Sequence, residues 1–267
     1  MPENRSICGR DREQFCIHTR KVYDACRSKD CLEDIRVYLT CEGQAVLNNA
    51  INVKPKSASI LWTYVDVEPV PFNDGFYTVD AKFFYRIEAD AFCGMTRPVE
   101  IEGLATFDKR AILYGSEGSA KIFSSRLTVG DNDKQLPART NLPTATVEVV
   151  DPVLLGVKVA EACDRFCGSD SCSCRSVSEL PECICGCFRD RISQGDGERR
   201  LYATLGQFSI IRLERDTQIT VPAYEYCVPE KECGHSESDA CDMFARFSFP
   251  VNEFFPPDKR GDNCGCK

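Results

Sequence analysis

The stretch "FYTVDAKFFYRIEADAF", residues 76–92, alternates side by side for almost its whole length. One side carries Tyr77, Val79, Ala81, Phe83, Tyr85, Ile87 and Ala89, and the other carries Thr78, Asp80, Lys82, Arg86, Glu88 and Asp90. A period of two over such a length predicts a long strand buried on one face.

The neighbouring segments read the same way. "SILWTYVDVEPV" (59–70) predicts a strand with "PFNDG" as its turn, and "VEIEGLATFDKRAILYG" and "SAKIFSSRLTV" predict more, separated by a loop with Gly115 and Gly118. "CEGQAVLNNA" (41–50) is a short helix candidate with Thr40 as its N-cap. "TATVEVVDPVLLGVKVAEAC" resumes as strand, and residues 199–229 predict two long strands turning near Glu214–Asp216. "FYTVDAKFFYRIEAD" also has a weak echo in "LYATLGQFSIIRLERD".

The expected fold is mainly β: two tandem antiparallel β-sandwich (jelly-roll-like) domains. The expected division is a cysteine-bearing N-terminal arm at 1–31, a first β-domain at 32–130, and a linker at 131–143. A second β-domain follows at 144–255 with a cysteine-rich insertion at 163–187, and a tail at 256–267 carries the final C-x-C.

At 267 residues the chain is long enough to bury a core without covalent staples, so its 18 cysteines need another reason. The net charge is −8 and most of it falls late in the chain, which argues against a nucleic-acid partner. The segment "MPENRSICGRDREQFCIHTRKV" has no apolar core region or small-residue cleavage site, and no run approaches the length of a membrane span. The expectation is therefore synthesis in a cytosol without a signal peptide, and no membrane partner. Cytosolic thiols are normally kept reduced, which leaves three explanations for so many cysteines: metal binding in place of disulfides, a thermophilic host, or later exposure to an oxidising environment.

Seven cysteines crowd into residues 163–187: Cys163, Cys167, Cys172, Cys174, Cys183, Cys185 and Cys187. Their gaps are C-x3-C and C-x-C, and C-x-x-C occurs nowhere in the chain. Structural zinc and iron–sulfur sites usually take ligand pairs from C-x-x-C, so its absence counts against them. A thiolate cluster holding Zn or Cu in the 163–187 region remains the alternative. In an extended C-x-C the two thiols face one side but close only a strained ring with each other, so each is better placed for a different partner. The termini suit bridges between chains, which makes Cys8, Cys16, Cys264 and Cys266 the candidates for intermolecular disulfides. The seven crowded cysteines, with Cys227, Cys233 and Cys241, are the candidates for bridges within the chain. Cys41 and Cys93 could equally be small buried hydrophobes.

His18 and His235 each follow a cysteine by two residues, yet neither sits in a catalytic context. "GSEG" lacks the ending of a phosphate loop, and "GDGE" lacks the spaced carboxylates of a calcium loop. The sequence thus predicts no enzyme, no catalytic residues, no cofactor and no dedicated metal site.

The segments "KVYDACRSKDCLEDIRVYLT", "VDVEPVPFNDGFYTVDAKFFYRIEA", "FDKRAILYGSEGSAKIFSS", "PECICGCF" and "YEYCVPEKEC" together resemble a cysteine-rich protein family of anaerobic, spore-forming Clostridia, over about residues 20–256. The resemblance implies a host class and no reaction. In composition and in its C-x-C pairs the chain is also similar to spore coat and appendage proteins, which are made in the mother cell and meet oxidants after lysis. The functional expectation is a structural protein that self-assembles into a spore surface layer or filament, locked by disulfides. Its partners would be itself and other coat proteins.

Overall fold

The computed structural model describes residues 16–94, 97–126, 134–161, 181–193, 198–220, 244 and 246–254. The strands are β1 (Cys16–Leu39), β2 (Asn52–Pro69), β3 (Phe76–Phe92), β4 (Val99–Tyr114), four two-residue pieces β5 (Lys121–Ile122), β6 (Ser125–Arg126), β7 (Lys134–Gln135) and β8 (Arg139–Thr140), then β9 (Thr144–Val149), β10 (Val153–Glu161) and β11 (Arg199–Thr220). Among the described residues the helices are α1 (Cys41–Asn49) and two single turns, α2 (Glu182–Cys185) and α3 (Val251–Phe254).

The chain is mainly β, antiparallel and sandwich-like. The main strand order is β10–β11–β1–β4–β3–β2, with β9 also paired to β11. β3 lies between β2 and β4, and β11 lies between β1 and the consecutive pair β9 and β10. The break between β9 and β10 falls at Asp151–Pro152, where proline cannot donate to the ladder. The Asp151 carboxylate accepts from the Ile60 backbone N–H at 2.8 Å, tying this break to β2.

β1 joins the two layers. It pairs with β11 from Cys16 to Val37, then its last residues, Tyr38 and Leu39, pair with Leu104 and Gly103 of β4. A Cβ on Gly103 would stand 2.7 Å from the Tyr38 carbonyl oxygen, so only glycine permits this crossing. The expected boundary between arm and first domain, at 31/32, thus falls inside one strand.

The two expected β-domains share a single core. Its main cluster takes Leu32, Val37 and Leu39 from β1, Phe83, Tyr85 and Ile87 from β3, and Leu201, Ala203 and Leu205 from β11. A second cluster towards the other end holds Cys26, Val79, Leu113, Ile211 and Leu213. β1 with β9–β11 supplies one apolar sheet face and β2–β4 supplies the other, and each face is buried by the other. At one end α1 adds Leu47 to the main cluster, capped by Thr40, whose hydroxyl accepts from the Gly43 N–H at 3.1 Å.

Two further expectations change. No turn occurs near Glu214–Asp216, because β11 runs unbroken through them. Buried Arg215 donates to the carbonyls of Ser116 at 2.6 Å and Asn141 at 2.8 Å, and also to those of Gly115 and Gly118, so a residue that reads as turn-forming is satisfied inside the fold. The predicted linker is partly structured: β8 pairs back onto β5, and β7 onto β6.

Candidate cross-linking site

The segment "PECICGCF" lies on the outer face of the β2–β3–β4 layer. Ile184 and Phe188, four residues apart, turn inward and are buried against Phe84 and Leu104. Phe84 is an apolar residue in the middle of the mostly polar side of β3, and this segment is what covers it. The turn is closed by the Ile184 N–H donating to the Pro181 carbonyl at 2.9 Å and the Cys187 N–H donating to that of Ile184 at 3.1 Å.

Four further contacts fasten the segment to the sandwich. The Cys41 N–H donates to the Arg191 carbonyl at 2.8 Å, and the Ser193 N–H to that of Leu39 at 2.8 Å. The Arg189 N–H donates to Glu102 at 3.0 Å, and the Arg86 guanidinium lies over the Phe188 ring at 5.4 Å.

With Ile184 and Phe188 directed inward, Cys183, Cys185 and Cys187 are left outward, exposed and with free thiols. The Cys187 thiol contacts the Cys183 carbonyl at 3.2 Å. The structure therefore does not hold these three in the intrachain bridges expected of them. Cys41 and Cys93 are also free and exposed, so neither is a buried hydrophobe.

Cys26 and Cys31 are buried and disulfide-bonded, a role the spacing did not single out. They lie five residues apart on an unbroken stretch of β1, opposite Ile211 and Gly206. That separates them by about 16 Å, well beyond a disulfide's reach, so they are not bonded to each other. Among the other expected bridge residues, the backbone of Cys16 opens β1. Cys8, Cys163, Cys167, Cys172, Cys174, Cys227, Cys233, Cys241, Cys264 and Cys266 lie outside the described residues, as does His235.

Among the described residues, no three His, Cys, Asp or Glu side chains come together in a group able to hold a metal ion. His18 is exposed on β1 opposite Gln218. A cleft at the start of α1 is lined by Glu42, Glu100, Glu102, Arg189 and Asp190, and has neither cysteine nor histidine among its described lining residues. No described helix is long and apolar enough to cross a membrane.

The chain is similar to Exosporium protein A of Clostridium sporogenes, with 25% identity over an alignment of 276 residues that spans 92% of this chain and 75% of that protein. No family model and no solved structure matches the chain.

Proposed function

We propose that the chain is a structural subunit of a spore surface layer or filament, assembling with further copies of itself and with other coat proteins, and locked by disulfides between subunits. The observation that carries this reading is the anchored turn with three exposed free thiols, Cys183, Cys185 and Cys187. The similarity to an exosporium protein supports the location.

Thiols two apart on a fastened turn can reach different partners, and two parallel bridges fix register as well as distance. The terminal Cys8, Cys16, Cys264 and Cys266 remain candidates for the same role. Each bridge joins two thiols, with two electrons and two protons passing to an oxidant such as dioxygen or a small disulfide. A non-covalent first contact is available on β2, where Trp62 and Tyr64 are 55% and 59% exposed. In this reading the subunit is made in the mother cell and oxidised after lysis, and it has no catalytic role.

The test is to isolate the native material, run it on gels with and without reductant, and measure its metal content. A ladder that collapses on reduction to the 29.9 kDa chain is expected. Monomer on both gels with stoichiometric metal would establish the thiolate metal module instead.

A further inference from the structure

β1 and β4 face each other along a seam that is paired through the backbone only at Tyr38–Leu104 and Leu39–Gly103. Higher up that seam, about 20 Å from the paired end by strand rise, Lys109 of β4 points inward, between the inward positions of Phe107 and Ala111. Its Nζ donates to both carboxylate oxygens of Asp30 on β1, at 2.6 and 2.8 Å. The two side chains are only 10% and 11% exposed. Ser28, itself buried, joins them: its hydroxyl accepts from Lys109 Nζ and donates to Asp30 Oδ2 at 2.7 Å.

We propose that Lys109 and Asp30 become joined by an amide, an isopeptide bond that staples the two sheets across this seam. The amine and the carboxyl carbon are held in contact by the fold, which replaces a bimolecular encounter with an intramolecular one. Burial also makes the ionic pair costly to keep, and condensation removes both charges at once.

The atoms balance without a co-reactant. A proton passes from the Lys109 ammonium through the Ser28 hydroxyl to Asp30 Oδ2, leaving an amine and a carboxylic acid. Rotation of the carboxyl group about Cβ–Cγ presents its face to Nζ, the Nζ–Cγ bond forms, and the Cγ–Oδ2 bond breaks. The second nitrogen proton leaves with that oxygen as water, and Ser28 is regenerated. No electron is gained or lost. Ser28 is a proton relay here, and Lys109 and Asp30 are the reacting groups.

The test is the intact mass of the full-length chain after complete reduction and denaturation. The expected mass is one water below that of the sequence, and digestion is expected to yield a branched peptide in which the Lys109 side chain carries the segment around Asp30. Lys109→Arg, which retains the positive charge, and Asp30→Ala are each expected at full mass, and a mass reading does not depend on whether a variant folds. A wild-type chain at full sequence mass overturns the proposal, as does a lost water that maps to any other residue. Neither outcome bears on whether subunits are cross-linked by disulfides.

Discussion

Gly206 lies directly beneath Phe244, so close that a Cβ on the glycine would stand 2.5 Å from the ring's Cδ2. The ring is also packed on Phe208, with centroids 4.6 Å apart. Gly206 cannot retreat, because β11 is paired there on both sides, to Cys31 of β1 and to Val153 of β10. Gly206→Ala must therefore push Phe244 outward. The expected cost is about 1–3 kcal/mol, the usual range for overpacking. Urea denaturation measures that cost, and limited proteolysis should show faster cutting between 244 and 254. A variant as stable and as resistant as the parent would mean that the ring is not seated on this glycine.

The same seat points to the partner of Cys31. Cys31 is opposite Gly206, so it lies beside Phe244, and Cys241 precedes that phenylalanine by only three residues. Three residues span at most about 10 Å of chain, a reach that allows a bridge between Cys241 and Cys31. Digestion without reductant is expected to release a peptide pair joining Cys31 to Cys241. Recovery of Cys31 linked to a cysteine in 163–174 would reject this assignment.

The sequence reveals most where one face of a strand alone is buried. β3 was legible because its inward residues recur at every second position, and α1 because Thr40 is a capping residue placed before a short apolar run. The echo between 76–90 and 201–216 falls on β3 and β11, the strands lying at the centre of each layer. β1 was less legible, because its inward row includes Ser28 and Asp30, polar residues satisfied by Lys109 some eighty positions away. Phe84 is hard to place from sequence for the same reason: what covers it, Ile184 and Phe188, comes a hundred residues later. Whether a thiol is bridged depends on such distant neighbours, and spacing alone could not separate Cys26 and Cys31 from Cys183, Cys185 and Cys187.

That separation can be measured. Brief alkylation of the folded, unassembled monomer without reductant, followed by peptide mapping, is expected to label Cys41, Cys93, Cys183, Cys185 and Cys187 and to spare Cys26 and Cys31. Labelling of Cys26 would contradict its buried, bonded state.

Phe188 anchors the thiol-bearing turn through a small apolar cluster. Phe188→Ala is expected to cost about 3 kcal/mol, at the lower end of the range for truncating a buried phenylalanine. The consequence for assembly is more informative than the stability loss. If the turn must be held rigid for bridges to form in register, the variant should give irregular cross-linked products in place of a regular ladder on non-reducing gels. An unchanged ladder would place the bridges elsewhere, at the terminal cysteines.

Tyr85 sets the response to alkali. Burial first, and the negative charge of Asp30 second, hold its phenol well above the ordinary value of about 10. The folded state thus keeps this proton where the unfolded chain loses it. Stability from Tyr85 is fully present below about pH 10 and falls as pH rises further, because the unfolded state then binds fewer protons than the native one. Denaturation midpoints should be level with respect to this group up to that point and decline above it. Tyr85→Phe removes the titrating group and the hydrogen bond to Gln207, so it should lower stability near neutrality while flattening the alkaline decline. An amide at Asp30 would remove only the second cause, so the decline should persist in the stapled chain. Equal alkaline slopes for parent and Tyr85→Phe would show that other tyrosines or lysines govern that limb.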